Sequence, residues 1–182
     1  AAFREAHPRV VIELVVSNRS DDLLRRDADI AVRMVRPTQS ALLARKVGSV
    51  HLGLFASARY VKSHGTPQTL AELKAHPLVG FDRIPPAMRL DKLGMPIHRE
   101  LFAFRCDSDV AQYAALRAGF GLGVCQLALA KRDKLVPVLA GSIGFELGVW
   151  VVMHKDLKSS RRVRLMYDHL VAHLSAYISS EA

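Results

Sequence analysis

Few residues of this chain are equipped for chemistry, and none falls into a catalytic spacing. Cys106 and Cys125 form no CxxC pair and no ligand spacing with the histidines, so neither a zinc site nor a disulfide framework is predicted, and a reducing cytoplasm suits them. His169 and His173 have the i, i+4 spacing of a helical metal pair. However, Leu170 stands where an HExxH pattern needs Glu, and both rings fall off the apolar face of their helix, so a solvated flank is expected. Gly119-Phe120-Gly121-Leu122-Gly123 follows a helical segment and precedes a strand, the reverse of a dinucleotide fingerprint, which predicts a helix stop with close packing. No serine lies in GxSxG and neither cysteine has the local setting of a nucleophile. The expectation is a protein that is not an enzyme and that uses no metal and no cofactor. What remains is polar residues at strand ends. Ser17 and Asn18 follow the apolar run 10–16, and Arg33 closes the run 27–34; read as parallel strands joined by a short helix, these runs end where α/β sheets hold small ligands.

The elements that must position such residues follow from periodicity. A length of 182 residues with 50% hydrophobic and 24% charged side chains is that of a globular chain with a sizeable core. No apolar run approaches the roughly 18 residues of a membrane span, and the amino end lacks the basic start and apolar middle of a signal peptide. That end reads as the last turns of a helix stopped by Pro8, with no initiator Met, and predicts a chain that begins inside a larger protein with at least one further strand upstream. Residues 42–47 and 50–56 read as a strand pair turning at Gly48-Ser49, followed by a helix over 57–63 closed by Gly65. Thr69-x-x-Glu72 is a capping box opening a short helix, and 78–81 is a buried strand. Residues 82–96 are loop-like and 97–106 alternates as a strand. Asp107-Ser108 caps a helix over 109–118, and 121–124 is a strand leading into a helix over 127–132. Strands over 135–139 and 145–154 precede a strongly amphipathic helix that opens at Ser159-Ser160 and runs to Ile178. Two sets of alternating elements predict two α/β lobes, with a cleft between them as the favoured ligand site.

A net charge of +9 and a pI near 10.0 raise nucleic acid as a partner. The basic residues nevertheless come in small scattered groups (Arg25-Arg26, Arg45-Lys46, Lys131-Arg132 with Lys134, Arg161-Arg162 with Arg164), without aromatic interleaving or a recognition-helix pattern. A solvated basic surface is expected, not a DNA footprint.

A set of segments, taken in order and spacing, carries a family resemblance. They are Phe3-Arg4-Glu5-Ala6-His7-Pro8 before the Val10 run; Asp22-Leu23-Leu24 with Asp29-Ile30-Ala31-Val32-Arg33; Leu43-Ala44-Arg45-Lys46-Val47-Gly48; Ala56-Ser57-Ala58-Arg59-Tyr60 with His64-Gly65-Thr66-Pro67; Ala118-Gly119-Phe120-Gly121-Leu122-Gly123; Leu135-Val136-Pro137-Val138-Leu139; and the Trp150 strand before the last helix. Together they resemble the effector-binding domain of LysR-type transcriptional regulators. The resemblance implies an α/β fold of two Rossmann-like lobes, of the periplasmic-binding-protein kind (type II), with residues 1–56 and 146–182 in lobe I, its first strand missing, and 57–145 in lobe II. It also implies a cytoplasmic regulator, with no membrane partner, that reaches DNA only through an upstream winged helix-turn-helix domain absent from this chain. Homodimers or homotetramers are implied, with segments 1–6 and 109–118 matching the elements that meet across the dimer. A small metabolite effector would bind between the lobes at Ser17, Asn18, Arg33, Phe81, Asp82, Ser108, Cys125 and Gln126, where Arg33 or a helix amino end is suited to a carboxylate. Cys125-Gln126 stands where many relatives have a Pro. A periplasmic solute-binding protein of a transporter is the alternative on the same lobes.

Overall fold

The structure is a computed structural model, and it describes residues 1–16, 28–84 and 97–180. In chain order its elements are α1 (Ala2–Ala6), β1 (Ile30–Arg33), β2 (Leu42–Ala56), α2 (Ala58–His64), β3 (Leu78–Gly80), β4 (Phe102–Arg105), α3 (Asp109–Arg117), β5 (Leu122–Gln126), α4 (Leu127–Arg132), β6 (Val136–Val138), β7 (Gly144–His154) and α5 (Arg161–Ser179). Short 3-10 turns cover Ala71–Ala75, Arg99–Leu101 and Lys155–Ser159. Two compact units result, Ala1–Val50 with Leu147–Ala182 and His51–Glu146, and the chain passes from one to the other within β2 and returns within β7.

In the first unit the strand order is β1-β7-β2. β1 runs antiparallel to β7, with Ile30 opposite Met153 and Arg33 opposite Trp150. The continuous apolar run in β7 has a physical cause: Val151 and Val152 point to opposite faces of the strand and both are fully buried, so both faces need cover. α5 supplies it on one face, packing Val163, Tyr167 and Val171 against Val151 and Met153. Each such side chain contributes about 1.5–3 kcal/mol before entropy is subtracted. The flank of α5 holding His169 and His173 is not simply solvated, as the sequence implies. α1 seats the buried Phe3 edge-on against the half-buried His169 at 5.1 Å, and the exposed His173 ring lies 4.0 Å from His169. Partial burial, then the neighbouring His173, holds the His169 pKa below its usual value.

Two expectations for this unit are corrected. Residues 10–16 do not form a strand, and no parallel strand-helix-strand unit stands at the amino end: Val11 and Leu14 are each 85% exposed, and β1 pairs antiparallel with β7 instead. Apolar β-branched composition favours extended backbone, but a ladder also needs a partner's N–H and C=O groups, which local sequence does not supply. Residues 17–27, the expected connecting helix, lie outside the described residues. Second, Gly48-Ser49 is no turn, since β2 runs unbroken over 15 residues. Gly48 adopts φ +141°, and a Cβ there would come 2.7 Å from Ile178 of α5, so the glycine lets the last turn of α5 lie on the strand.

In the second unit the order is β2-β5-β3-β4, with β6 also paired to β2. β5 and β6 run antiparallel to β2, whereas β3 is parallel to both of its neighbours. Local signals are realised closely. Ser57 Oγ accepts the Tyr60 N–H and Gly65 ends α2 at φ +70°, whereas the expected capping box is only half formed: Thr69 Oγ1 accepts the Glu72 N–H at 3.4 Å, the Glu72 carboxylate accepts from the Thr69 hydroxyl and the Gln68 N–H, and the element is a 3-10 turn with Leu70 as its N-cap. The strand expected over 97–106 is shorter, because Arg99–Leu101 winds into a 3-10 turn and only Phe102–Arg105 pairs with β3. Gly121 has a packing role: a Cβ there would stand 2.0 Å from the Pro77 carbonyl, which accepts the Leu122 N–H. Leu54, Ala56, Tyr60, Leu73, Leu78, Leu122 and Val138 form the core. α3 and α4 are tied by Asp133, whose carboxylate receives Arg132 Nε at 2.8 Å, Arg117 Nε at 2.7 Å and the Tyr113 hydroxyl at 2.7 Å.

Truncating the fully buried Leu122 to Ala is expected to lower urea-unfolding stability by about 3 kcal/mol, whereas Leu14→Ala should change it by no more than about 0.5 kcal/mol, given the exposure of Leu14. The bonds to Arg132 and Tyr113 depress the Asp133 carboxyl from 3.8 to about 2. The folded value lies below the unfolded one, so this contribution is fully present above about pH 4 and is lost as pH falls through about 2. Thermal unfolding followed from pH 5 to 2 should therefore show a shallower acid decline in Asp133→Asn than in the parent chain.

Candidate functional site

Parallel pairing of β4, β3 and β5 brings three carboxyl ends to one edge of the second unit's sheet, the edge at which open α/β sheets bind ligands. Gly80 is level with Arg105 across β3 and β4, so the segments that follow, Phe81–Arg83 and Cys106–Ser108, leave side by side. The Cys106 N–H donates to the Gly80 carbonyl at 3.0 Å, extending the ladder one residue beyond the strands. Beyond it the Asp107 carboxylate takes over: Oδ1 accepts the backbone N–H of Asp82 at 3.0 Å and of Arg83 at 2.9 Å. An acceptor that holds two consecutive amides fixes the loop backbone as well as its position. Asp82 is in turn gripped by Arg99 from the 3-10 turn before β4. That hydrogen bond, helped by the charges of Arg99, Arg105 and Arg83, keeps the Asp82 carboxyl below its usual range.

α3 begins at this edge. Ser108 is its N-cap and accepts the Ala111 N–H at 3.3 Å. This use occupies an acceptor position only, so the hydroxyl hydrogen is left to donate. Gln112, one turn into α3, donates through Nε2 to the Cys106 carbonyl at 2.5 Å and fastens the helix to the loop. On the far side of β3, β5 ends at Gln126, the half-buried N-cap residue of α4.

Of the residues picked out from the sequence, Phe81, Asp82, Ser108, Cys125 and Gln126 therefore share one sheet edge. Phe81 and Cys125 are buried there, and Asp82, Ser108 and Gln126 are half-exposed. The Cys125 side chain packs with Phe55, Leu116 and Ala130, and burial followed by the nearby Asp133 charge pushes its thiol up to about 11, so it holds a neutral, apolar position. Arg33 belongs to the first unit, half-buried at the end of β1. Ser17 and Asn18 lie outside the described residues. Sequence reasoning missed Asp107 and Arg99. Asp107 was visible only as a residue beside a helix cap, because its acceptor role is set by amides 24 and 25 residues away. Among the described residues no group of three His, Cys, Asp or Glu side chains is arranged to hold a metal ion, and no helix is long and apolar enough to cross a membrane.

Comparison with known proteins places this geometry in a family. The LysR substrate binding domain family matches residues 1–175. The HTH-type transcriptional regulator CrgA of Neisseria meningitidis is 29% identical over 181 residues, covering 94% of this chain and 60% of that protein. The chain thus spans about 60% of the length of the curated relatives it matches over most of its own length. Among solved structures, the CrgA regulatory domain superposes with a TM-score of 0.81 at 29% identity, covering 95% of this chain and 88% of that one. Full-length AphB of Vibrio cholerae, a virulence activator of the same family, superposes with a TM-score of 0.70 at 27% identity, covering 94% of this chain and 61% of that one. The α/β, periplasmic-binding-protein-like fold class expected from the sequence is the one these structures share. With 175 of its residues inside the match, the chain belongs to the LysR substrate-binding domain family.

Proposed function

We propose that this chain is the effector-sensing module of a cytoplasmic LysR-type transcriptional regulator, which binds a small metabolite and passes the binding event to a DNA-binding segment of the same protein. The family match over residues 1–175 carries this reading. The CrgA and AphB names, a transcriptional regulator and a virulence activator, support regulation over solute transport. The two units act as the lobes, and the effector site takes in Phe81, Asp82, Ser108 and Gln126, backed by Cys125, together with Arg33, Ser17 and Asn18. Asp107 and Arg99 serve as positioning residues, holding the 81–83 backbone ready for a ligand so that little ordering cost falls on binding. The role is binding without turnover. Signalling then requires that the ligand prefer one of two conformations, since equal affinity shifts no equilibrium. We further propose a homodimer or homotetramer built through α1 and α3, on which Val110 stands 64% exposed.

Thermal-shift screening of a panel of small organic acids and neutral metabolites tests the proposal. The expected result is one chemical class that raises the melting temperature and is recovered unchanged after incubation. Calorimetric titration with that compound should give affinities about fivefold to tenfold weaker in Ser17→Ala and in Ser108→Ala, each losing about 1 kcal/mol. Asp107→Ala should weaken binding about as much and lower the melting temperature of the free chain slightly, because the Asp82 and Arg83 N–H groups lose their acceptor to water. Unchanged affinity in all three variants would remove this edge from the site, and consumption of the compound would overturn the non-enzymatic role.

A further inference from the structure

The sequence's scattered basic groups are not equivalent once folded. Between β7 and the first turns of α5 the chain carries Lys155, Lys158, Arg161, Arg162 and Arg164 within ten residues, all exposed. Two acids stand near them: Asp168 pairs with Arg164 at 3.2 Å, and Asp156 lies 3.4 Å from His154 Nδ1, which itself accepts the Asp156 N–H, so one carboxylate stands against four cations and the stretch stays net positive. Lys155, Lys158, Arg161 and Arg162 have no side-chain partner among the described residues. Their setting adds to the positive potential. The first turn of α5 contains no acidic residue where helices ordinarily carry Asp or Glu, and its opening positions are arginines. Arg45 of β2 adds a further cation, sharing the surroundings of Tyr167 with Arg164. The apolar residues of this stretch face inward: Leu157 packs against the cluster of Val151, Val163 and Tyr167. A patch of cations without exposed apolar or aromatic side chains suits neither insertion into a membrane interface nor stacking on bases. It is also anchored, because the cations sit on a 3-10 turn and the helix that follows, which pack on the core through Leu157 and Val163, and they occupy eight residues of chain. A DNA duplex presents a dense row of phosphates.

We propose that the Lys155–Arg162 turn is a docking surface for the phosphate backbone of duplex DNA, contacted without regard to base sequence. In a DNA-bound regulator it would let the sensing module itself hold DNA. The surface shares no residue with the proposed effector site, so either proposal can fail without the other.

Fluorescence anisotropy of the 182-residue chain with a 20-base-pair duplex of arbitrary sequence, from 50 to 200 mM NaCl, tests this. Four phosphate contacts give a log–log salt slope steeper by about 3.6 than that of the variant K155Q/K158Q/R161Q/R162Q, and an affinity loss over that range about 150-fold greater. A charge-matched variant of the second unit, R59Q/K62Q/K74Q/K131Q, should keep the parent slope, and all three proteins should melt together, since the exchanged side chains are exposed. Equal slopes in the parent and the 155–162 variant, or no duplex binding at 50 mM, would overturn the proposal. So would displacement of the duplex by a charge-matched poly-glutamate at the same concentration, which would assign the patch to an acidic protein surface.

Discussion

The two-sided burial of β7 is the constraint on which the first unit depends. Val149, Val151, Val152 and Met153 are all nearly or fully inaccessible, and a strand hidden on both faces is stable only if other elements seal it. α5 is the seal on the Val151 face, and its length, its apolar stripe and the glycine at position 48 beneath its last turn answer that need. β1 completes the ladder along one side of β7. The same strand begins inside the second unit, so the order that α5 imposes is built on a segment both units share.

In the second unit the decisive feature is the direction of three short strands. Their parallel pairing delivers Phe81, Cys106 and Gln126 to one edge, where carboxylates do work that backbone ladders no longer can. Asp107 takes over the hydrogen bonding of the loop amides just where β3 ends, and Arg99 fixes the following carboxylate. An edge held this way presents Ser108 and Gln126 on a prepared frame. At the proposed effector site, preorganisation of this kind would let a small ligand's contacts go into affinity instead of into ordering the protein.

Elements set by local chemistry were legible in the sequence. Ser57, Gly65 and Ser108 bound their helices where the caps predict, and the apolar stripe of α5 and the 145–154 run were plain from periodicity. Features set by distant partners were not. The apolar 10–16 run has every local mark of a strand and is exposed, because pairing belongs to the partner as much as to the residue. Gly48-Ser49 has the marks of a turn and lies mid-strand, because the demand on the glycine comes from Ile178, 130 positions later. Phe81, Asp82, Ser108 and Gln126 were readable as residues at strand ends and a helix cap, yet the bonds of Asp107 and Arg99 were not, for the same reason: their partners lie far along the chain.

The most direct test of the central claim is a map of backbone amide chemical shifts as a compound that stabilises the chain is titrated in. The expected result is that the largest changes fall on Phe81–Arg83, on Ser108 and the first turn of α3, and on Gln126. Changes concentrated instead between α1 and α5, or around Tyr113 and Asp133, with the 81–83 and 108–111 amides unmoved, would contradict an effector site at the carboxyl edge of the second unit's strands.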